Sequence, residues 1–188
     1  MKKLLLGIAI LFLSCSEDDP EVDIPLEEDE NFSSEIFFSE YIEGTSFNKS
    51  LEIVNLTGET INLETEVYSI RKQQNGSGDW MSELMLTGSL AHNAVFVISN
   101  ESANIPVILE EADLLKTGAP MDFNGNDALG LFRDGQLIDV IGEVDNPEDF
   151  AIDQTLRRKA EITEPSTDFD IDSWEVFETD NVEDLGTY

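Results

Sequence analysis

The sequence predicts an all-β domain, a sandwich or barrel of short strands with at most one short helix. Three observations predict it. Apolar and β-branched runs of strand length recur along the chain and are separated by Gly, Asn, Asp and Ser turn signals. Ala128 to Arg133 and Gln136 to Ile141 flank Asp134-Gly135, a pair that tolerates the positive backbone angles of a tight hairpin turn. A helical period is plausible in one place only, Ile105 to Leu115, where Ile108, Leu109, Ala112 and Leu115 fall roughly on one face.

Each element has its own reason. Ile36 to Ile42 is a β-rich run, and Gly44 to Asn48 is a loop into a second strand, Ser50 to Leu56. Gly58 breaks the chain; residues 61–63 and 66–71 form a third extended region, which ends at the polar turn of residues 73–78 and pairs with Trp80 to Leu86. Ala94 to Ser99 is nearly continuously apolar, as befits a core strand buried on both faces. In the hairpin, Leu129 and Leu131 share one face and Phe132 leans to the other, while Leu137, Asp139 and Ile141 alternate against Ile138 and Val140. An acidic loop through Asn146-Pro147 leads to Thr155 to Ala160, and Ser173 to Phe177 is the last strand.

The 188 residues carry 41 acids against 10 bases, a formal charge of −31. Residues 16–35 and 161–188 hold ten acids each and no Lys or Arg, and residues 36–160 hold twenty-one acids against eight bases. Such a field repels phosphate backbones, so nucleic acid is disfavoured as a partner, whereas divalent cations and cationic partners are favoured. A solvated surface that only promotes solubility accounts for the same charge.

Residues 1–15 begin with two lysines and continue with an apolar run, shorter than the roughly 20 residues that cross a bilayer as a helix, and therefore read as a signal peptide. Cys15 is the only cysteine, so no intrachain disulfide is available. It follows Ser14 and precedes an acidic stretch, Ser16 to Pro20, and this arrangement resembles the lipobox of a bacterial lipoprotein. Phe12 and Leu13 depart from the usual lipobox pattern. The resemblance implies lipidation of Cys15 and export to the bacterial outer membrane, with the acidic stretch resembling signals for surface exposure. Residues 16–35 are acidic, contain Pro20 and Pro25 and have no sustained period, as expected of a flexible tether. Residues 36–188 are the folded domain.

Four segments in order, Phe38-Ser-Glu-Tyr-Ile-Glu-Gly44, Asn48-Lys-Ser-Leu-Glu-Ile-Val-Asn55, Asn124-Gly-Asn-Asp-Ala-Leu-Gly-Leu131 and Leu137-Ile-Asp-Val-Ile-Gly142, resemble the lamin tail domain found in secreted bacterial proteins, and Thr155-Leu-Arg-Arg-Lys159 is similar to the start of its C-terminal part. Trp174 and the closing Leu185-Gly186 are similar to its C-terminal part. The resemblance implies an immunoglobulin-like β-sandwich and no particular activity. In animal lamins the tail contacts DNA and nuclear-envelope proteins, but the anionic balance argues against carrying the DNA role over.

Asp122, Asn124, Asn126 and Asp127 place oxygen donors close together in one loop, the arrangement that can turn side chains towards a hard cation such as Ca²⁺. Asp127 and Arg133 stand where an EF-hand would need Gly and a bidentate Glu, so any ion site would recruit another segment, with Glu40, Glu43 and Glu52 as candidates. The alternative is a turn whose Asn and Asp side chains bond to nearby backbone amides. Asp168, Asp170 and Asp172 offer a second alternating set on what could equally be an extended segment with one wet face.

No nucleophile elbow, zinc pair of histidines or CxxC is present, and His92 is the only histidine. Paired carboxylates such as Glu40 and Glu52 could in principle cleave glycosides, although carboxylates meet by chance in so acidic a chain. Arg157 to Lys159 is the one basic cluster, read as an internal partner for neighbouring acids in preference to an anion contact. Trp80, Tyr41, Tyr68 and Trp174 could build a sugar-stacking platform, but in a sandwich such residues are more often core. The sequence thus points to a non-catalytic, lipid-anchored envelope protein presenting a binding or adhesion domain to an envelope protein or glycan. The alternatives are a calcium-stabilised carbohydrate-binding module and a carboxylate hydrolase.

Overall fold

A computed structural model describes residues 32–188. The signal segment, Cys15 and residues 16–31 of the tether lie outside the described residues. The strands are β1 (Phe37–Glu43), β2 (Lys49–Val54), β3 (Ile61–Asn62), β4 (Tyr68–Gln73), β5 (Met81–Met85), β6 (Ser89–Leu90) and β7 (Val95–Asn100). One helix, α1 (Pro106–Glu110), precedes β8 (Leu114–Lys116), β9 (Ala128–Arg133), β10 (Gln136–Ile141), β11 (Gln154–Arg158) and β12 (Trp174–Glu178).

A six-stranded sheet in the order β12-β11-β1-β2-β7-β8 faces a four-stranded sheet in the order β10-β9-β4-β5, and β3 pairs with β6 at the side. Every pairing is antiparallel except β7 with β8. Phe38, Tyr41, Leu51, Ile53 and Leu156 of the larger sheet meet Tyr68, Ile70, Leu129, Leu131 and Ile141 of the smaller one in a buried core. The fold is therefore an all-β sandwich, as the strand pattern predicts.

The departures from expectation have local causes. The helix is a single turn and a half, begun by Pro106, whose fixed φ suits the first helical turn. Asp113 then binds Val97 twice: its amide donates to Val97 O at 2.9 Å and its Oδ2 accepts from Val97 N at 2.9 Å. That contact lays Leu114–Lys116 along β7 as a parallel strand, so Leu115 is in a strand and not on a helix face. In the hairpin, a register shift between Leu137 and Asp139 interrupts strict alternation, and Ile138 and Ile141 both reach the core. Residues 32–35, assigned by sequence to the tether, are fastened to the domain. Ser33 N donates to Leu56 O, and Glu35 accepts from Tyr68 Oη at 2.6 Å and pairs with Arg133.

The shifted hairpin sets Asp139, fully buried, against the facing sheet. Its carboxylate accepts from Arg158 at 2.7 Å, from Phe38 N at 2.8 Å and from Ser166 N at 2.8 Å, while Arg158 also donates to Phe38 O at 3.0 Å. Arg158 lies over the Trp174 ring at 4.3 Å. This polar cluster joins the sheets where β10 ends the smaller one, and burial raises the Asp139 pKa against the pull of Arg158 and the two amides.

Candidate functional site

The loop of residues 122–127 is a closed hydrogen-bonded turn. Asp127 Oδ1 accepts from Asn75 N at 2.6 Å and Oδ2 from Asn124 N at 3.1 Å, and Asn126 N donates to Asn124 Oδ1 at 3.4 Å. Lys72 from β4 lies between the two acids, with Nζ 2.7 Å from Asp122 and 3.2 Å from Asp127. A cation is thus already supplied by the chain. Asn126 donates to Pro147 O, and its Oδ1 is buried without a hydrogen-bond partner among the described residues.

Glu40, Glu43 and Glu52 are engaged elsewhere in the fold. Glu43 binds Lys49 and receives the amide of Asp153, closing the far end of β1. Among the described residues, no three or more His, Cys, Asp or Glu side chains are grouped so as to hold a metal ion.

Glu40 and Glu52 do come together, on the face of the six-stranded sheet that points away from the core. A register shift between Phe38 and Glu40 makes this possible. Phe38 faces inward, and after the irregularity at Ser39 the Glu40 side chain turns outward, while Tyr41 returns to the core. One rung across this outer face then reads Glu175, Arg157, Glu40, Glu52, Val97 from β12 to β7. Two carboxyl groups are direct cross-strand neighbours, an arrangement that is unfavourable when both are charged.

The C-terminal stretch, residues 181–188, crosses over this rung. Thr155 Oγ1 donates to Asn181 O at 2.9 Å; Arg157 bonds Asn181 Oδ1 and pairs with Asp184 at 3.0 Å. Leu185 packs with Ile42, Val97, Ala103 and Ile108 in a second apolar cluster. Gly186 N donates to Glu52 Oε2 at 2.7 Å. A side chain at Gly186 would be strained by its φ of 96°, and this backbone angle favours glycine; the nearest atom, Glu111 Oε2 at 2.7 Å, is the movable end of a side chain. Tyr188 sets its ring edge-on to Phe37, with centroids 6.1 Å apart.

A cavity of about 250 Å³ remains between this stretch and the sheet, with Ser39, Glu40, Glu52, Arg157, Asp184 and Tyr188 among its walls. Glu40 is 2% and Glu52 1% exposed. Glu52 is fully used: Oε1 accepts from Ser39 Oγ at 2.7 Å and Oε2 from Gly186. Glu40 is half used, since Oε1 accepts from Arg157 Nε at 3.2 Å and Oε2 has no partner among the described residues. Burial pushes the Glu40 pKa up to about 7; Arg157 opposes this and Glu52 reinforces it. Burial likewise raises Glu52 to about 7, against the hydrogen bonds from Ser39 and Gly186. Buried, mutually repelling titratable groups at a cavity are a feature of functional sites.

The remaining sequence candidates are structural. Tyr41, Tyr68 and Trp174 are buried and Trp80 packs edge-on against Phe132, so these four make no sugar platform. Core burial took the rings that a platform would need. His92 accepts from Gly58 N at 3.1 Å and stacks edge-on with Phe32. The basic cluster is spent internally, Arg157 outward on Glu40 and Asp184, Arg158 inward on Asp139. Asp170 accepts from Asp172 N at 2.9 Å as the cap of a 3-10 turn. Sequence reasoning named Glu40 and Glu52 and read the basic cluster that holds Arg157 as a partner for neighbouring acids, but missed Asp184 and Gly186 as their companions; the Leu185-Gly186 pair was the available signal, because an apolar residue and glycine inside an acidic tail are what a docked strand-crossing segment needs. Compared with known protein families and with curated proteins, the sequence matches no family model and no curated protein.

Proposed function

We propose that the chain is a non-catalytic, lipid-anchored protein of the bacterial cell envelope, and that its sandwich, immunoglobulin-like and similar to the lamin tail domain, is a binding module whose ligand site is the cavity over Glu40 and Glu52. The anchor part of this reading rests on residues 1–20, where an apolar run ends at Cys15 before an acidic stretch. The observation that carries the binding part is a walled cavity whose floor holds two buried carboxyl groups, one with an unused oxygen. A structural sheet face would place apolar residues there, as the neighbouring Ile42 and Val97 do.

Hydrolysis by the same pair is less well supported. A two-carboxylate mechanism needs an acid and a base or nucleophile both presented to substrate, and both oxygens of Glu52 already accept hydrogen bonds. The calcium reading retains one supporting observation, the unpartnered Asn126 Oδ1, and melting with millimolar Ca²⁺ against EDTA decides it by the presence or absence of a shift.

A panel of peptides and glycans screened against the full chain tests the binding role. Ligands lost on Glu40→Gln but kept on Glu148→Gln, an exposed acid elsewhere, support the cavity. Ligands indifferent to Glu40 contradict it.

A further inference from the structure

With the cavity taken as the ligand site, the reading on which this inference rests, the chemistry of its walls narrows the ligand class. Anions meet four acids in these walls, and the Arg157 guanidinium on the floor is already engaged by the chain itself. Arg157 is committed through Nε to Glu40, and through its other nitrogens to Asn181 and Asp184; Lys159 Nζ donates to Asp172 O at 2.7 Å. Guanidinium groups favour a carboxylate with both oxygens free for a bidentate contact, and neither of the two buried glutamates has that. A hard divalent ion needs six or more oxygens, which the carboxyl groups here are not grouped to give.

A primary ammonium group fits better. It is a compact charge with three donors and needs no planar partner. Glu40 is 2% exposed and lines the cavity, and its Oε2 has no partner among the described residues. Tyr188 supplies an aromatic wall suited to a cation or its alkyl stem. The charged groups around the cavity are Glu40 from β1, Glu52 from β2, Arg157, Arg158 and Lys159 from β11 and its end, Glu175 from β12, and Asp184 from the C-terminal stretch. Arg158 is neutralised by Asp139, which is not among these groups, so four acids stand against Arg157 and Lys159 and acids prevail.

We propose that the cavity binds an alkylammonium group, either a lysine side chain of a peptide or a free polyamine, with Glu40 Oε2 as its principal acceptor. Binding replaces a proton. No covalent bond to carbon forms or breaks: the carboxyl of Glu40 loses its O–H proton to solvent and the carboxylate accepts the N–H of the incoming ammonium. The raised pKa values of Glu40 and Glu52 fit this exchange, since an ammonium group takes the place of the proton the pair holds near neutrality.

Calorimetric titration of the full chain with spermidine, and separately with an end-blocked Ala-Lys-Ala peptide, tests this, with amide NMR shifts at Glu40 and Gly186 as the site readout. The expected result is binding that strengthens severalfold from pH 6 to pH 8, releases a proton in buffers of different ionisation enthalpy, weakens by about tenfold or more in Glu40→Gln and is little changed in Glu148→Gln. Spermidine alone binding assigns a free polyamine, and the peptide alone assigns a lysine side chain; either supports the proposal. Equal losses in the two variants, or no binding by either probe, overturn it. Should Glu40→Gln fail to fold, proton release and pH dependence in the wild-type chain still decide. A neutral sugar that shifts the same two amides, and needs Glu40, overturns the ammonium class while leaving the cavity as the ligand site.

Discussion

Glu40 and Glu52 show how an unfavourable pair persists at the residue scale. Burial holds both at about 7, above the ordinary value of 4.5, with the charge of Glu52 adding to the rise at Glu40 and that of Asp184 to the rise at Glu52, so each holds its proton more tightly in the folded state. The folded chain therefore binds more protons than the unfolded chain between about pH 4.5 and 7, and folding stability falls as pH rises through that window. The cost at pH 8 relative to pH 5 is on the order of 3 kcal/mol, shared between two coupled groups. Denaturant unfolding at both pH values measures it. Glu52→Gln keeps an acceptor for Gly186 and should flatten the slope, whereas repulsion among the many surface acids would leave the slope intact. Asp139 behaves oppositely under mutation because its partners remain buried. Asp139→Ala strands Arg158 and two backbone amides, and a loss of about 3–5 kcal/mol is expected by the same unfolding measurement.

At the scale of elements, the C-terminal stretch is the part that makes a site out of a sheet face. Leu185 is its apolar anchor, and Leu185→Ala should cost about 2 kcal/mol and raise amide exchange at Gly186, because the stretch loses its place in the second cluster. The strands themselves were legible: strand length, alternation and the Asp134-Gly135 turn located β1, β2, β7, β9, β10 and β12 within a few residues. The helix was legible in its start, near Ile105, but its extent was not, because Asp113 binds Val97 of β7. Irregularities in β1 and β10 were also hidden, since a bulge is set by partner strands and leaves no mark in alternation. Both carboxylates of the site could be named from sequence as a pair able to meet. Their shared rung with Arg157, more than a hundred residues away, depends on the register of β1 with β11 and cannot be read locally.

For the whole molecule, the charge and the fold belong to one account. A large excess of acids disfavours nucleic acid and favours cations at the surface, and the buried cavity carboxylate with an unused oxygen, Glu40, fits the same preference. No helix among the described residues is long and apolar enough to cross a membrane; the proposed attachment is through Cys15. Cys15→Ala should move the protein from the membrane to the soluble fraction on fractionation; full retention contradicts the lipid anchor. The proposed binding role depends most on the outer-face pair being a proton-sharing site and not two ordinary surface acids. Carbon-13 NMR titration of the Glu40 and Glu52 side-chain carboxyl groups measures that directly. Coupled titration with midpoints raised to about 7 is the predicted result. Independent midpoints near the ordinary 4.5 would contradict it.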